Sequence, residues 1–478
     1  MSVRSPLGAT PQSAGIELPA DSGLRVRDSS VRDSRRALGG VAGLIVGTLL
    51  IAVSAAHTPT LLPESLRGAA AGRLPADLAG AFGQTGIDLH AGGTIAILCL
   101  IFISYLVVVA SSRQLSGRTV VLLIAALQAL VILGPPLIST DVFSYQAYAR
   151  MGASYGTNPY LNGPHALFLD PIFPYVGAKW SYIPSAYGPA FTIFSYALAP
   201  LSVAASVLAF KAVAGVSAIA IIALVWRLAR LRDVDPVKAV ALVGLNPLLV
   251  LYGVGGGHND LLMLAVSTGA IYLFLANRGR LGGGLLVLSV AIKLTAGLLI
   301  PFAAAAGGAE HGRRRRRDLV IGVGIGTLLL VLVSGAVFGG GALNLFPTVL
   351  RSQSEGDWHS IPGLIGALAG SLAGHIVGYM LGAMFIGVTI WLLRRVWGRE
   401  MDWLNAAGWS TLVMLATAGS LLPWYVCWLL PLTAISTDRR LIRPTLWLTG
   451  VVLVLQMLQF AGLGIIGYLP TGNSGLGI

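Results

Sequence analysis

Residues 120–150 read VVLLIAALQALVILGPPLISTDVFSYQAYAR. The first part, 120–138, is an apolar run close to the ~20 residues that a membrane-spanning helix needs. The acid Asp141 follows it, where the chain should emerge into water. If a helix starts there, Asp141, Tyr145 and Tyr148 fall on one face of it. An acid at a membrane exit, followed by an aromatic surface helix, indicates chemistry at the face of a bilayer.

The composition of the whole chain supports a membrane setting. Of the 478 residues, 55% are hydrophobic and only 11% are charged, whereas about 25% are charged in soluble domains. The formal net charge of +13 fits the Lys and Arg of cytoplasmic loops, so we expect no nucleic-acid partner. Cys99 and Cys427 lie in apolar runs and are expected to be packed thiols. We predict an all-α polytopic protein surrounded by membrane lipids.

Basic residues, which mark the cytoplasmic ends of spans, divide the chain into three segments. Residues 1–36 are predicted to be a disordered cytoplasmic tail, residues 37–118 two spans with an outer loop, and residues 119–478 the main domain. We expect a multi-pass protein of the cell inner (plasma) membrane with a cytoplasmic N-terminus. Short extracytoplasmic juxtamembrane helices are predicted at 190–201 and 363–374. About eleven full spans are predicted: 37–56, 94–110, 120–138, 203–228, 239–254, 261–276, 319–338, 375–393, 403–421, 423–436 and 446–466.

Residues 281–308 form an apolar stretch with basic residues on both sides, at 278–280 and 313–317. Both flanks should be cytoplasmic, which one straight span cannot achieve. We therefore predict a broken, re-entrant helix pair with its tip near Lys293. Irregular backbone at membrane depth is tolerated where it lines a cavity, so a cavity is expected there.

On this topology, the polar motifs of the chain emerge on the extracytoplasmic side. Because they share one face, we expect them to build one site, which Lys293 reaches from the broken helix pair. A Lys within an apolar run usually faces a cavity and marks function. The motifs are Asp141, Tyr187-Gly188-Pro189, His258-Asn259-Asp260, the loop from Arg351 to His359, and Pro423-Trp424-Tyr425.

These motifs also have structural interpretations. Asp141 can cap its helix as well as act as a general base, and the His258 motif can be a glycine-rich turn with a helix cap. Lys293 can belong to a structural ion pair, and Lys211 is expected to snorkel towards the interface. The aromatic residues of the last motif can anchor the membrane interface.

Sequence motifs for soluble nucleotides and for zinc are missing from the chain. No spacing of His and carboxylate residues supports a divalent metal, so we expect no cofactor. A donor that is delivered within the membrane fits this pattern.

Taken together, the residues resemble the GT-C superfamily of glycosyltransferases, with an acid after an early span, an interfacial helix and a Lys in a broken helix pair. More narrowly, they resemble the actinobacterial polyprenyl-phosphomannose-dependent α-(1→6)-mannopyranosyltransferases, which build the mannan core of lipomannan and lipoarabinomannan. The resemblance covers roughly residues 120–466. The motifs that carry it are Asp141-Val142-Phe143-Ser144-Tyr145, Asn158-Pro159-Tyr160, Tyr187-Gly188-Pro189, His258-Asn259-Asp260 and Pro423-Trp424-Tyr425.

The resemblance implies a GT-C-like fold for residues 119–478. It also implies that mannose passes, with inversion, from polyprenyl monophosphomannose to a mannan or phosphatidylinositol-mannoside-type lipid acceptor outside the membrane. Asp141 is then the general base, and Val142, where some GT-C enzymes have a second acid, weakens a metal requirement. Lys293, His258 and Arg351 become candidates for binding the donor phosphate. The candidates for substrate binding are Tyr145, Tyr187, Asn259, Asp260, Trp424 and Tyr425.

Three alternatives stay open at this point. The donor could carry another polyprenyl-linked sugar, arabinose or glucose, because the sequence does not separate these sugars. A lipid or solute transporter would also use many spans and a broken helix pair, although the internal repeats common in transporters are not seen. A non-catalytic membrane scaffold would have no need of Asp141.

Overall fold

The computed structural model describes residues 22–67, 74–83, 85–306, 310–354 and 359–462. Every regular element within these ranges is a helix, and no strand occurs in them. The prediction of an all-α membrane protein is confirmed at this level.

The α-helices of the described ranges are numbered in chain order. A π-helix (Leu248–Val254) follows α8, and 3-10 helices at Leu294–Leu298 and Pro423–Trp428 border the candidate site. The α-helices are α1 (Ser22–Ser54), α2 (Glu64–Arg67), α3 (His90–Ala110), α4 (Gly117–Leu133), α5 (Asp141–Tyr155), α6 (Pro189–Tyr196), α7 (Val203–Leu231), α8 (Pro236–Gly244), α9 (Asp260–Leu275), α10 (Gly279–Ile292), α11 (Leu299–Ala305), α12 (Glu310–Phe338), α13 (Leu345–Ser354), α14 (Ile361–Ala369), α15 (Ser371–Trp397), α16 (Trp403–Thr417), α17 (Leu430–Ile435) and α18 (Ile442–Phe460).

Six helical stretches of the described chain are long and apolar enough to cross a membrane. The pair α8 and Leu248–Val254, bent by 48°, makes a seventh if it counts as one span. The predicted number of about eleven full spans is not confirmed, because several predicted spans are apolar helices of only 10–17 residues. At ~1.5 Å per residue these are about 26 Å long or shorter, less than the ~30 Å hydrocarbon core. The six stretches are Ser34–His57, His90–Ala110, Val203–Leu231, Arg313–Arg351, Ser371–Trp397 and Arg439–Phe460.

Prolines and glycines shorten two of the predicted spans. Helix α4 ends at Leu133, and Gly134 after it has extended backbone angles. The next two residues are prolines, which lack the N–H group that a continuing helix needs. The predicted span 239–254 is bent where Pro247 separates α8 from the π-helix. Both breaks fall inside apolar runs, where run length alone predicts continuous spans.

The apolar stretch 281–308 is broken at the residue that the sequence analysis singled out. Helix α10 ends at Ile292, and Lys293 has extended backbone angles (φ −152°, ψ 128°) before the 3-10 helix begins. Helix α10 itself packs between α9 and α12. The re-entrant course of the pair through the membrane stays a prediction.

The N-terminal segment differs from the expectation in part. Helix α1 begins at Ser22, so part of the stretch predicted to be a disordered tail is helical. The rest of that predicted tail, 1–21, lies outside the described residues, as do 463–478 at the other end.

Lys211 corrects another expectation, because it does not snorkel. Its side chain lies inside the bundle with 1% of the residue exposed. The ammonium donates to the carbonyl oxygens of Gly134 (2.6 Å) and Pro135 (2.8 Å). These carbonyl oxygens lie just beyond the end of α4 and have no helical N–H partner, so their hydrogen bonds stabilise the buried ammonium. Lys211 therefore fixes the turn that leads into Asp141.

The segment after α5 is held against it by a buried ion pair. Arg150 lies 2.6 Å from Asp170 and also donates to the carbonyl of Leu201 (2.8 Å). Tyr155 donates to the other oxygen of Asp170 (2.8 Å). These contacts keep the 156–188 segment folded over the start of α5, where the candidate site begins.

Candidate active site

Four interruptions of the helical pattern meet at one place in the fold. They are the start of α5 at Asp141, the glycine turn 255–257 before α9, the end of α10 at Lys293 and the 3-10 helix Pro423–Trp428. Helix ends carry polar groups that the helix itself does not satisfy. Their meeting point can therefore hold polar side chains within an apolar bundle.

Asp141 points to His258 and does not cap its own helix. The cap position of α5 is Thr140, whose side chain makes no capping hydrogen bond, and the N–H of Asp141 donates to Oγ of Ser139 at 3.2 Å. Instead, Oδ2 of Asp141 lies 3.2 Å from Nδ1 of His258, which is an ion-pair distance without hydrogen-bond alignment. In the described chain, Oδ1 of Asp141 has no hydrogen-bond partner, and 15% of the side chain is exposed. The carboxylate thus has one oxygen held and one available.

The charge state of Asp141 follows from its surroundings. Burial raises the pKa of this carboxyl group, but the contact with His258, the charge of Lys293 and the hydroxyl of Tyr145 lower it more. The net pKa lies below the ordinary value of 3.8. Asp141 is therefore ionised at neutral pH, as a general base must be.

Tyr145 connects Asp141 to the His258 motif. Its hydroxyl lies 3.5 Å from Oδ2 of Asp141 and donates to Oδ1 of Asn259 at 3.3 Å, while the backbone N–H of Asn259 donates to it. The ring of Tyr145 meets Tyr187 edge to face, with centroids 4.7 Å apart. Burial and the charge of Asp141 raise the pKa of both tyrosines well above 10.0. Both therefore remain protonated hydrogen-bond donors.

The Tyr187-Gly188 element is fixed to the broken end of α10. The N–H of Gly188 donates to the carbonyl of Ile292 at 3.0 Å. A Cβ atom at Gly188 would lie 2.2 Å from the carbonyl oxygen of Ala291, so only glycine fits this approach. The carbonyl of Tyr187 accepts from the hydroxyl of Tyr160 (2.8 Å). The Tyr-Gly-Pro motif thus holds Tyr187 beside the end of α10, where Lys293 follows.

Lys293 takes part in an ion pair and an aromatic cage. Its ammonium lies 2.7 Å from Oδ1 of Asp260, which also accepts from Nε1 of Trp428 at 2.6 Å. It lies 4.9 Å and 5.3 Å from the ring centroids of Tyr425 and Trp428, which stack at 4.2 Å. The structural ion pair considered in the sequence analysis is present. A role in phosphate binding stays a prediction.

Trp424 covers His258, and several buried polar atoms around it lack partners. The two rings stack with centroids 3.7 Å apart. Buried atoms without a hydrogen bond to any described residue include Nε1 of Trp424, Nε2 of His258, Nδ2 of Asn259 and Oδ2 of Asp260. Such atoms cost stability unless a ligand or water satisfies them. The cluster therefore has the donors and acceptors that a bound polyol would use.

The remaining predicted residue, Arg351, lies exposed on α13. Its place in the site stays a prediction, and Glu355, Asp357 and Trp358 of the same predicted loop lie outside the described residues. Trp428, which continues the Pro423-Trp424-Tyr425 motif, is not among the predicted site residues, although it contacts Asp260 and Lys293. Its helical spacing from Trp424 and Tyr425 was the available signal.

The described residues contain no group of three His, Cys, Asp or Glu side chains that could hold a metal ion. Asp141 and Asp260 are instead paired with His258 and Lys293, respectively. The two carboxylates thus each contact a basic side chain, and the rings of Trp424, Tyr425 and Trp428 lie against these contacts.

Comparison with known proteins supplies the family. A family model described as α-(1→6)-mannopyranosyltransferase, N-terminal domain, matches residues 40–308, more than half of the chain. The α-(1→6)-mannopyranosyltransferase A of Mycobacterium tuberculosis is 27% identical over 357 residues, 68% of this chain and 67% of that protein. No solved structure matches the chain.

Two further relatives agree with this assignment. The α-(1→6)-mannopyranosyltransferase Rv1459c of Mycobacterium tuberculosis is 34% identical over 141 residues, which are 28% of this chain and 24% of that protein. The α-(1→6)-mannopyranosyltransferase B of Corynebacterium glutamicum is 24% identical over 337 residues, 62% of this chain and 55% of that protein. The chain belongs to the α-(1→6)-mannopyranosyltransferase family and is a mannosyltransferase, that is, a membrane glycosyltransferase.

Proposed function

We propose that the protein transfers mannose from polyprenyl monophosphomannose to a growing α-(1→6)-mannan, the core of lipomannan and lipoarabinomannan. The acceptor is a mannan or a phosphatidylinositol-mannoside-type lipid. The reaction takes place on the outer face of the plasma membrane, with the N-terminus in the cytoplasm. The names of the relatives support the sugar and the linkage. Donor, acceptor and orientation are our proposals.

The chemical step is a single displacement with inversion. The acceptor 6-hydroxyl oxygen attacks the anomeric carbon of a β-linked mannosyl phosphate, and an α-mannoside forms. The bond between the anomeric carbon and the phosphate oxygen breaks, and the polyprenyl phosphate leaves with the electron pair. The acceptor hydroxyl proton passes to Asp141. A positioned base contributes about 10²–10⁴-fold to such a step.

The arrangement around Asp141 is the observation that carries this proposal. The carboxylate has a lowered pKa, one oxygen beside His258 and Tyr145, and a second oxygen without a described partner. A base needs an ionised oxygen that faces the reacting hydroxyl while the rest of the group is held. The two side chains that contact Asp141 each carry an aromatic neighbour: Trp424 stacks on His258, and Tyr187 packs edge to face against Tyr145. We assign Trp424 and Tyr187 to binding the sugars.

The leaving phosphate requires a cation, since its negative charge grows in the transition state. We assign Lys293 to this role, with Arg351 as a second candidate. Lys293 keeps Asp260 as its partner in the resting site, so the phosphate would share the ammonium with that carboxylate. His258 is buried against Asp141, and we therefore assign it to positioning the base instead of contacting phosphate.

An assay of the purified protein tests the proposal. Synthetic polyprenyl phosphomannose and short α-(1→6)-mannosides are supplied, and the linkage of the product is determined. We expect an added α-(1→6)-mannose. Transfer from polyprenyl phosphoarabinose or phosphoglucose but not from the mannosyl donor would overturn the proposal.

A further inference from the structure

An apolar cleft begins next to the Asp260–Lys293 ion pair and runs along α9. Its empty volume is about 430 Å³, including the space at its open mouth. One wall is α9, and the others are the segment after Lys293, helix α16 and the stretch around Trp428. The lining residues are Met263, Leu264, Ser267, Thr268, Ile271, Thr295, Ala296, Leu298, Leu299, Thr411, Met414, Trp428, Pro431 and Leu432.

The lining is more apolar than its residue names suggest. The hydroxyl of Ser267 donates to the carbonyl of Leu264 (3.1 Å), and that of Thr411 donates to the carbonyl of Ala407 (2.8 Å). Both hydroxyl groups donate their hydrogen bonds within their own helices, so they add little polar character to the lining of the cleft. Met263 and Met414 add flexible side chains that adapt to a ligand of irregular outline.

One end of the cleft is polar and adjoins the ion pair of Lys293 and Asp260. Trp428 lines the cleft and also donates to Asp260, while the ammonium of Lys293 lies 5.3 Å from its ring centroid. The hydroxyl oxygen of Thr295 is buried and has no hydrogen-bond partner among the described residues. An anionic head at this end would share the ammonium of Lys293 with Asp260 and could accept from the hydroxyl of Thr295. The apolar cleft beyond it suits a hydrocarbon chain, so an amphiphile with an anionic head fits both parts.

The length of the cleft matches a chain segment and not a compact group. Its α9 wall extends from Met263 to Ile271, which is about 12 Å along a helix. Met263 lies about one turn beyond Asp260, so the cleft leads directly away from the charged pair. A linear chain attached to a phosphate at Lys293 would enter this cleft with its first units.

We propose that this cleft binds the phosphate-proximal isoprenoid units of the lipid donor, with the phosphate between Lys293 and Thr295. The proposal rests on the proposed function, because it takes the donor to be a polyprenyl phosphate sugar. It adds the residues that recognise the lipid part. It also gives Lys293 and Trp428 a joint role, since one binds the head and the other lines the path of the chain.

Donors that share the mannosyl phosphate but differ in chain length test this proposal. Initial rates are measured with a long polyprenyl phosphomannose and with a short analogue that has a single isoprenoid unit. The wild-type protein should show a lower KM for the long donor, because its further methylene groups are buried in the cleft. Equal KM values for the two donors would overturn the proposal.

A cleft-filling variant makes the test specific to these residues. Ser267→Leu should raise the KM for the long donor about tenfold, since it occupies the space of roughly two methylene groups, and should leave the short donor unaffected. Val266→Leu, a neighbouring α9 position outside the lining, is the matched control and should change neither value. Equal losses with both donors, or no loss with the long one, would contradict the assignment.

A second variant covers the case in which Ser267→Leu fails to fold. Met414→Trp narrows the half-buried mouth of the cleft on α16, and its melting temperature is checked first. The same selective rise in KM is expected, and its absence in a folded variant counts against the proposal. If the wild-type protein used neither donor, the proposed function itself would fail, and this inference would fall with it.

Discussion

Nδ1 of His258 lies 3.2 Å from Oδ2 of Asp141. The imidazole ring of His258 also stacks on the indole ring of Trp424, with ring centroids 3.7 Å apart. Asp141, the proposed general base, is therefore connected through one buried imidazole to the indole ring of Trp424. Other charged or titratable groups that act on Asp141 are Lys293 and Tyr145, with Tyr148, Tyr187 and Asp260 in the same cluster.

His258→Phe separates the two contacts of this ring. Phenylalanine keeps an aromatic face for Trp424 but removes the nitrogen beside Asp141. Burial then acts on the Asp141 carboxyl with less opposition, so its pKa rises. Because the reaction needs the carboxylate, activity is lost as pH falls through this pKa. The acid limb of kcat/KM is expected to move to higher pH than in the wild-type protein, which the pH profile of mannose transfer measures.

A purely structural role of His258 predicts another result. In that case His258→Phe would keep the wild-type pH profile, and loss of the stacking in Trp424→Leu would be the harmful change. An unshifted acid limb in a folded His258→Phe protein would therefore contradict the positioning role.

Lys293 and Asp260 form a pair whose two roles can be separated. Lys293→Met leaves Asp260, which is 0% exposed, as an uncompensated buried charge, and should destabilise the protein by about 3–5 kcal/mol. The double variant Lys293→Met/Asp260→Asn removes both charges and should recover most of that stability. Unfolding midpoints in denaturant measure the effect.

Activity of the double variant then decides whether the cation is needed. We expect mannose transfer to stay strongly reduced after stability returns, because the leaving phosphate has lost Lys293. Wild-type transfer by the stable double variant would show that the pair serves the fold alone.

Gly188→Ala should disturb the site through the backbone. The added Cβ would lie 2.2 Å from the carbonyl of Ala291, and overpacking of this kind costs about 1–3 kcal/mol. We expect a lower melting temperature and slower transfer, since Tyr187 and Lys293 move with this contact. Gly92→Ala is the control, because nothing lies within 4 Å of its added Cβ. It should melt at or above the wild-type temperature, and equal melting of the two variants would contradict the argument.

Cysteine labelling tests the proposed orientation. Native Cys99 is exposed and is first replaced by serine, whereas Cys427 is buried. Leu169→Cys, at a position 85% exposed, should react with an impermeant reagent outside intact cells. Arg313→Cys should react only after the membrane is opened. Labelling of Arg313→Cys from outside would reverse the topology.

The sequence predicts the fold class and the shared location of the polar motifs better than it predicts the number of membrane spans. Apolar runs and Arg positions identify a helical membrane protein, and the break at Lys293 coincides with the expected one. Run length predicts more spans than the six or seven helical stretches of the described chain that are long and apolar enough to cross a membrane, because an apolar run does not reveal where a proline stops a helix. Pro247 and the prolines after Gly134 end helices within such runs.

Side-chain partners in the site were harder to predict. Spacing places Asp141 and Tyr145 on one face of α5, but it gives no sign that His258, 117 positions further along the chain, faces Asp141. The partner of Lys293 is an acid on another helix, Asp260. The position of Lys211 near the end of a helix predicted that its side chain would snorkel to the interface, which is wrong. Hydrogen bonds to the carbonyl oxygens after α4 hold it inside the bundle. Each of these contacts depends on helix packing, which a local pattern does not contain.

The central claim is that Asp141 removes the proton of the acceptor hydroxyl, and the Asp141→Asn variant tests it most directly. The purified variant is compared with the wild-type protein in mannose transfer, in melting temperature and in binding of polyprenyl phosphomannose. We predict that transfer falls by about 10²–10⁴-fold, while folding and donor binding are retained. Transfer at the wild-type rate by the folded variant would contradict the account.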